Sequence, residues 1–275
     1  MPETQTTNPP RILIIAGSDS GGGARIQADI KAVTMLGGFA MTAITAVTAQ
    51  NTQGVSGIWP MPIDAVTSQI RAVLTDLGAD AIKTGMLGSA ELIESIGDEL
   101  DQLARDTARI IDPVMVASSG DKLLPDKAID ALRSNLVPGA TLVTPNAPEA
   151  EILTGKAVET VDGQRRAAEA LLELGAKAAL VKGGHVGGDV IVDVVQTQHD
   201  EFLFEAPRIE SRSTHGTGCT LASSTATKIG AGLSIGEAVP AARDYVWKAI
   251  EHAPDFGKGH NGPLRHNWPL LKDTA

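Results

Sequence analysis

Apolar residues along this chain alternate between short continuous runs and helical stripes. The alternation predicts strands separated by helices. Residues 11–16 form an Ile-rich run closed by Gly17, a length and composition that favour a buried strand. Across 24–36, Ile26, Ile30, Val33 and Leu36 recur at helical spacing, and Gly37 and Gly38 end the helix. A strand is predicted at 39–47. A stripe of Ile63, Val66, Ile70, Val73, Leu74 and Leu77 follows, closed by Gly78. Next come a short strand at 81–83 and a helix at 91–103 that Ser89 can cap. Strands at 109–114, 141–143 and 178–181 are separated by helical patterns at 126–136 and 161–174. Such alternation implies right-handed βαβ crossovers, hence a three-layer α/β/α sandwich around a mainly parallel sheet.

Two segments break the rhythm. Residues 190–196 and 202–204 read as a small antiparallel hairpin, and the Gly-punctuated piece at 50–59 reads as a flap over a site. Helices near 221–229 and 235–252 close the chain. The polar, Pro-containing residues 1–10 read as a flexible tail, and 11–275 as one domain.

Composition removes several function classes. No stretch approaches the roughly 20 apolar residues of a membrane span, and residues 1–10 lack the features of a signal peptide. The expected location is the cytoplasm. A net charge of −10 with 23 scattered Lys and Arg argues against a nucleic-acid surface, so an anionic ligand must be held locally. One cysteine, Cys219, excludes an internal disulfide and a cysteine-built zinc site.

Ligands of open α/β sheets sit beyond the carboxyl ends of the strands. There the chain carries AGSDSGGGARIQAD, TAVTAQN, KTGM, DPVM, TPNAPE and VKGGH. In THGTGC, Gly216 and Gly218 free backbone N–H groups at a helix start, so 216–219 makes an anion-binding nest or simply a glycine-rich helix start. No GxxxxGK followed by Ser or Thr occurs, nor a GxGxxG after the first strand. Phosphoryl transfer needs a cradle, a cation and carboxylates for Mg²⁺. The nest, Lys182, and Asp112 with Glu149 are the candidates, the carboxylates acting through metal-bound water. Lys182 also reads as an ordinary strand-end lysine, and Asn146 and Glu149 as helix-start residues. Cys219 is either a thiol acidified by the helix start or a small buried hydrophobe. His185 and His215 read as loop-ordering or phosphate-side residues.

In this order the motifs resemble the hydroxymethylpyrimidine/phosphomethylpyrimidine kinases, a branch of the ribokinase-like superfamily, from Arg11 to the GKGHNGPL segment. The resemblance implies ATP and Mg²⁺ as cofactors, a pyrimidine alcohol and its monophosphate as acceptors, and a homodimer. It further implies a pyrimidine pocket of Gly17, Ala24, Asp29, Gln50, Met86 and Val114. On the ATP side it places Lys182, Asn146 and Thr217, with Gly216, Gly218 and Cys219 at the transfer site. One position departs from the pattern: Arg25 stands where a Gly usually precedes IQAD. Its side chain either points to solvent or touches a substrate phosphate. A pyridoxal kinase of the same fold and a non-catalytic pyrimidine-binding regulator are the competing readings.

Overall fold

The computed structural model describes residues 8–115 and 124–271. Of the predicted tail, residues 1–7 lie outside the described residues, while Pro10 is tied down by the N–H of Phe39, which donates to its carbonyl.

All strands join one sheet. In chain order they are β1 (Arg11–Asp19), β2 (Phe39–Asn51), β3 (Gly54–Pro60), β4 (Ala81–Thr84), β5 (Ala108–Ile111), β6 (Leu142–Val143), β7 (Ala178–Val181), β8 (Val190–Thr197) and β9 (Glu201–Pro207). The spatial order is β3-β2-β1-β4-β5-β6-β7-β8-β9. The sheet is parallel from β2 to β7 and antiparallel at both edges. The helices are α1 (Arg25–Met35), α2 (Ile63–Asp76), α3 (Ala90–Leu103), α4 (Asp126–Asn135), α5 (Ala147–Thr154), α6 (Val161–Glu173), α7 (Thr217–Gly230) and α8 (Ile235–Glu251).

The period-two rule of strands accounts for the layering. Along β1, Leu13 and Ile15 face one core with residues of α2, α3, α4 and α6, whereas Ile12 and Ile14 face a second core with residues of α1, α7 and α8. Helices therefore cover both faces, as predicted.

Three local readings change. The segment expected to be a flap is half strand: β3 pairs antiparallel with the long end of β2 and extends the sheet, leaving Trp59 58% exposed. α5 escaped the pattern because its eight residues, APEAEILT, carry no amphipathic stripe. It forms because Asn146 and Glu149 make a capping box and a proline occupies its first turn. The third change concerns Asp29. The pocket role implied for it does not hold, because it is fully buried beneath the sheet ends. Its carboxylate is 3.0 Å from the ammonium of Lys83, a completely buried lysine in β4. The Ser223 hydroxyl of α7 donates to the same carboxylate at 2.6 Å.

Removing Lys83 strands a buried carboxylate. Lys83→Met is expected to lower unfolding stability by about 3–5 kcal/mol, read from urea denaturation. Pairing it with Asp29→Leu should restore much of the loss, since no uncompensated charge then remains.

Candidate active site

A cavity of about 530 Å³ opens at the carboxyl ends of the parallel strands. Behind its lining lies Asp19, the buried last residue of β1. Asp19 accepts from the N–H groups of Gly21 (2.8 Å), Gly23 (3.1 Å) and Ala24 (2.9 Å), which winds the glycine turn around one carboxylate. Nε2 of His215 lies 3.0 Å from the same group and so locks the turn to the segment before α7. Burial alone would raise the Asp19 pKa, but His215 and the backbone donors outweigh it and lower it. His215 is thus loop-ordering. Asp19 was not singled out from the sequence, although a carboxylate followed by three glycines is the signal of such a turn.

Residues 216–219 open α7, as both readings of THGTGC require. Gly216, with φ 83, is the N-cap of α7, and a Cβ there would collide with the Gly23 carbonyl, so only glycine fits. The N–H groups of Gly218 and Cys219 make no hydrogen bond within the described chain, and the helix N-terminus adds positive potential. A Cβ on Gly218 would lie 3.2 Å from the Lys182 ammonium and 3.9 Å from an Asp112 oxygen, so the nest, the cation and the carboxylate converge there.

Lys182 is brought in by β7. Its N–H donates to the Pro145 carbonyl, and the next N–H, of Gly183, donates to Asp193, itself held by Arg243 at 2.7 Å. The Lys182 ammonium lies 3.5 Å from Asp112. Burial would lower its pKa, but Asp112 and Glu149 raise it, so it stays charged. Asp112 stands between two lysines, its second oxygen 3.8 Å from Lys83 and without a hydrogen bond among the described residues. Glu149 is pushed up to about 7 by burial, with Lys182 working against that shift. Its helix-start reading is also correct: it accepts from the Asn146 N–H at 2.9 Å. No group of three metal-ligating side chains exists among the described residues. Two carboxylates with one orphaned oxygen suit a Mg²⁺ held mostly by water and phosphate.

The cavity is also lined by Ala24, Gln50, Met86 and Val114. Gly17 lies behind Met86, whose methyl a Cβ on Gly17 would strike. Of the residues assigned from sequence, therefore, all line the cavity except Gly17 and Asp29. Arg25 does not reach solvent. It is buried, its guanidinium donating to the Gln50 side-chain oxygen at 3.2 Å and touching the Met86 sulfur. Burial lowers its pKa, opposed by Cys219 and Asp19.

Of the two readings of Cys219, the unacidified thiol is favoured, in a half-buried side chain that lines the cavity. Burial pushes it up to about 11 despite Lys83, so the thiol is protonated at neutral pH. A helix start acidifies a thiol only where desolvation does not win.

A family model described as phosphomethylpyrimidine kinase matches residues 19–265. The hydroxymethylpyrimidine/phosphomethylpyrimidine kinase of Streptomyces coelicolor is 47% identical over 267 residues, covering 97% of this chain and 98% of its own. The Bacillus subtilis protein of the same name is 43% identical, covering 93% and 94%. Among solved structures, a phosphomethylpyrimidine kinase from Clostridium difficile 630 superposes with a TM-score of 0.79 at 38% identity, over 88% of this chain and 99% of that one. The Staphylococcus aureus pyridoxal kinase in complex with AMP-PCP and pyridoxal superposes with a TM-score of 0.86 at 31% identity, over 94% of each.

The state of the thiol is directly measurable. Alkylation of Cys219 by iodoacetamide is expected to be slow at pH 7 and to rise about tenfold per pH unit until the pH nears 11, because the thiolate is the nucleophile. A rate that is already maximal at pH 8 would contradict the assignment.

Proposed function

This chain belongs to the phosphomethylpyrimidine kinase family, and on that premise we propose that it transfers the γ-phosphoryl group of ATP to 4-amino-5-hydroxymethyl-2-methylpyrimidine and again to the resulting monophosphate. The two transfers make the diphosphate used in thiamin biosynthesis. The observation that supports this most is the convergence at Gly218 of free backbone donors, Lys182 and Asp112, in one cavity with Gln50, Met86 and Val114.

The residues divide the work as follows. Gly216 to Cys219 present N–H groups to the transferred phosphoryl oxygens, and Lys182 neutralises the charge that accumulates as the bond to the β-phosphate breaks. Asn146 and Thr217 also line the cavity and would contact the nucleotide. Asp112 and Glu149 would hold Mg²⁺ through its waters. The ion supplies charge neutralisation across the phosphates when bound. Gln50 offers a donor and an acceptor to the aminopyrimidine edge between the apolar walls. The acceptor oxygen forms its bond to the γ-phosphorus as the bond to the β-phosphate oxygen breaks, ADP leaves, and the hydroxyl proton passes late to an oxygen of the transferred phosphoryl group, since a loose transition state needs little prior deprotonation. Cys219, a neutral thiol, positions the transferred group and is a poor base at rest.

The homodimer implied by the resemblance remains part of the proposal, and the exposed cross-strand pair Val47 and Trp59 at the β2–β3 edge supports it. No helix among the described residues is long and apolar enough to cross a membrane. The cytoplasm remains the location proposed from the sequence.

ADP release coupled to NADH oxidation, with the pyrimidine alcohol, its monophosphate and pyridoxal as acceptors, tests the function. Turnover on both pyrimidines above that on pyridoxal is expected, and turnover on pyridoxal alone would replace the reading by the pyridoxal kinase one. Binding of a pyrimidine without turnover would replace it by that of a regulator. Lys182→Ala should remain folded and lose roughly 100-fold or more in kcat, because the interaction it removes strengthens in the transition state. Gln50→Leu should raise the acceptor KM by about tenfold while leaving the ATP KM nearly unchanged, since it leaves ring donors and acceptors unpaired.

A further inference from the structure

Arg25 is the first residue of α1 and has φ 57, the one positive φ at a non-glycine among the described residues. Glycine adopts that conformation freely and an L side chain does so at a cost, so an arginine here is strained backbone as well as buried charge. The side chain folds inward until the residue is only 6% exposed.

A buried cation that serves only the fold is paired, as Lys83 is with Asp29 a short way below. Arg25 has no carboxylate partner among the described residues. Its polar neighbour is the neutral Gln50 amide, and its other contact is the Met86 thioether. Asp19 is near enough to influence it, but that carboxylate is already used by three backbone N–H groups and His215. Arg25 lines the cavity together with Lys182 and the nest. The chain therefore holds an unpaired guanidinium inside its acceptor pocket, at the expense of backbone strain.

The position of that guanidinium sets the consequence. It engages the Gln50 oxygen and the Met86 wall, the two features that would otherwise receive a neutral aminopyrimidine ring. Such a ring must displace the side chain and offers it no anion in return. An acceptor that carries a phosphate also displaces it, but gives the released planar guanidinium an anionic, two-point partner. We propose that Arg25 is a specificity-determining residue that favours the phosphorylated acceptor over the neutral alcohol. The inference rests on the kinase reading above and names which of its two transfers this pocket serves better.

The test compares kcat/KM for the alcohol and for its monophosphate in the wild type, Arg25→Gly and Arg25→Lys, by ADP release. The wild type should prefer the monophosphate. Arg25→Gly should melt no lower than the wild type and should reduce the preference about tenfold or more, gaining on the alcohol and losing on the monophosphate, with the ATP KM unchanged. Arg25→Lys should retain part of the preference, because it keeps the charge without the fork. An equal preference in active wild type and Arg25→Gly overturns the assignment and leaves the kinase function intact, as does a rise confined to the ATP KM. No ADP release from either pyrimidine in any of the three proteins overturns the kinase reading and this proposal with it.

Discussion

The ammonium of Lys83, sealed in the middle of the sheet, is the constraint around which the site is arranged. It binds Asp29 of α1 and approaches Asp112 at the end of β5, while Ser223 of α7 closes on the far side of Asp29. Two of those elements, α1 and α7, begin at the cavity, and the third ends there. Burying these ions is costly unless every partner is in place, so the network penalises any arrangement in which the helix starts drift from the strand ends. The nest, the glycine turn and Asp112 are held in register by a charge that itself touches no ligand.

Above that network, polar residues fix the loops and leave the cavity lining free for chemistry. Asp19 winds the glycine turn, Asp193 holds the Lys182 turn, and Arg208 donates to the carbonyls of Gly184, Val186 and Gly188 to brace the loop below the hairpin. Glu149 serves on both levels, capping α5 and facing the cavity.

Much of this was legible in the sequence because strands buried on both faces are continuous apolar runs and the loops after them carry unusual residue sets. Every parallel strand was placed to within a few residues, and the converging loops identified the cavity. What escaped has physical reasons. α5 is capped into existence rather than patterned, and β3 is an edge strand without clean alternation. A lysine in a strand gives no sign of whether it reaches solvent, so Lys83 passed unremarked and Asp29 was assigned to the pocket. For Cys219 the sequence left open an acidified thiol or a small buried hydrophobe, because a helix start is visible in the motif and the degree of desolvation is not. The side chain of Arg25 could be directed only by its backbone angle, which a sequence does not display.

The segment containing Gly257, Gly259 and Gly262 is packed against the opposite end of the chain. A Cβ on Gly259 would overlap the Thr52 carbonyl, the His215 N–H donates to the Gly262 carbonyl, and Asn261 lines the cavity. The mouth of the cavity is therefore complete only when this late segment has docked beside the β2–β3 turn and the start of α7, which couples the closing of the site to contacts between residues some 200 positions apart.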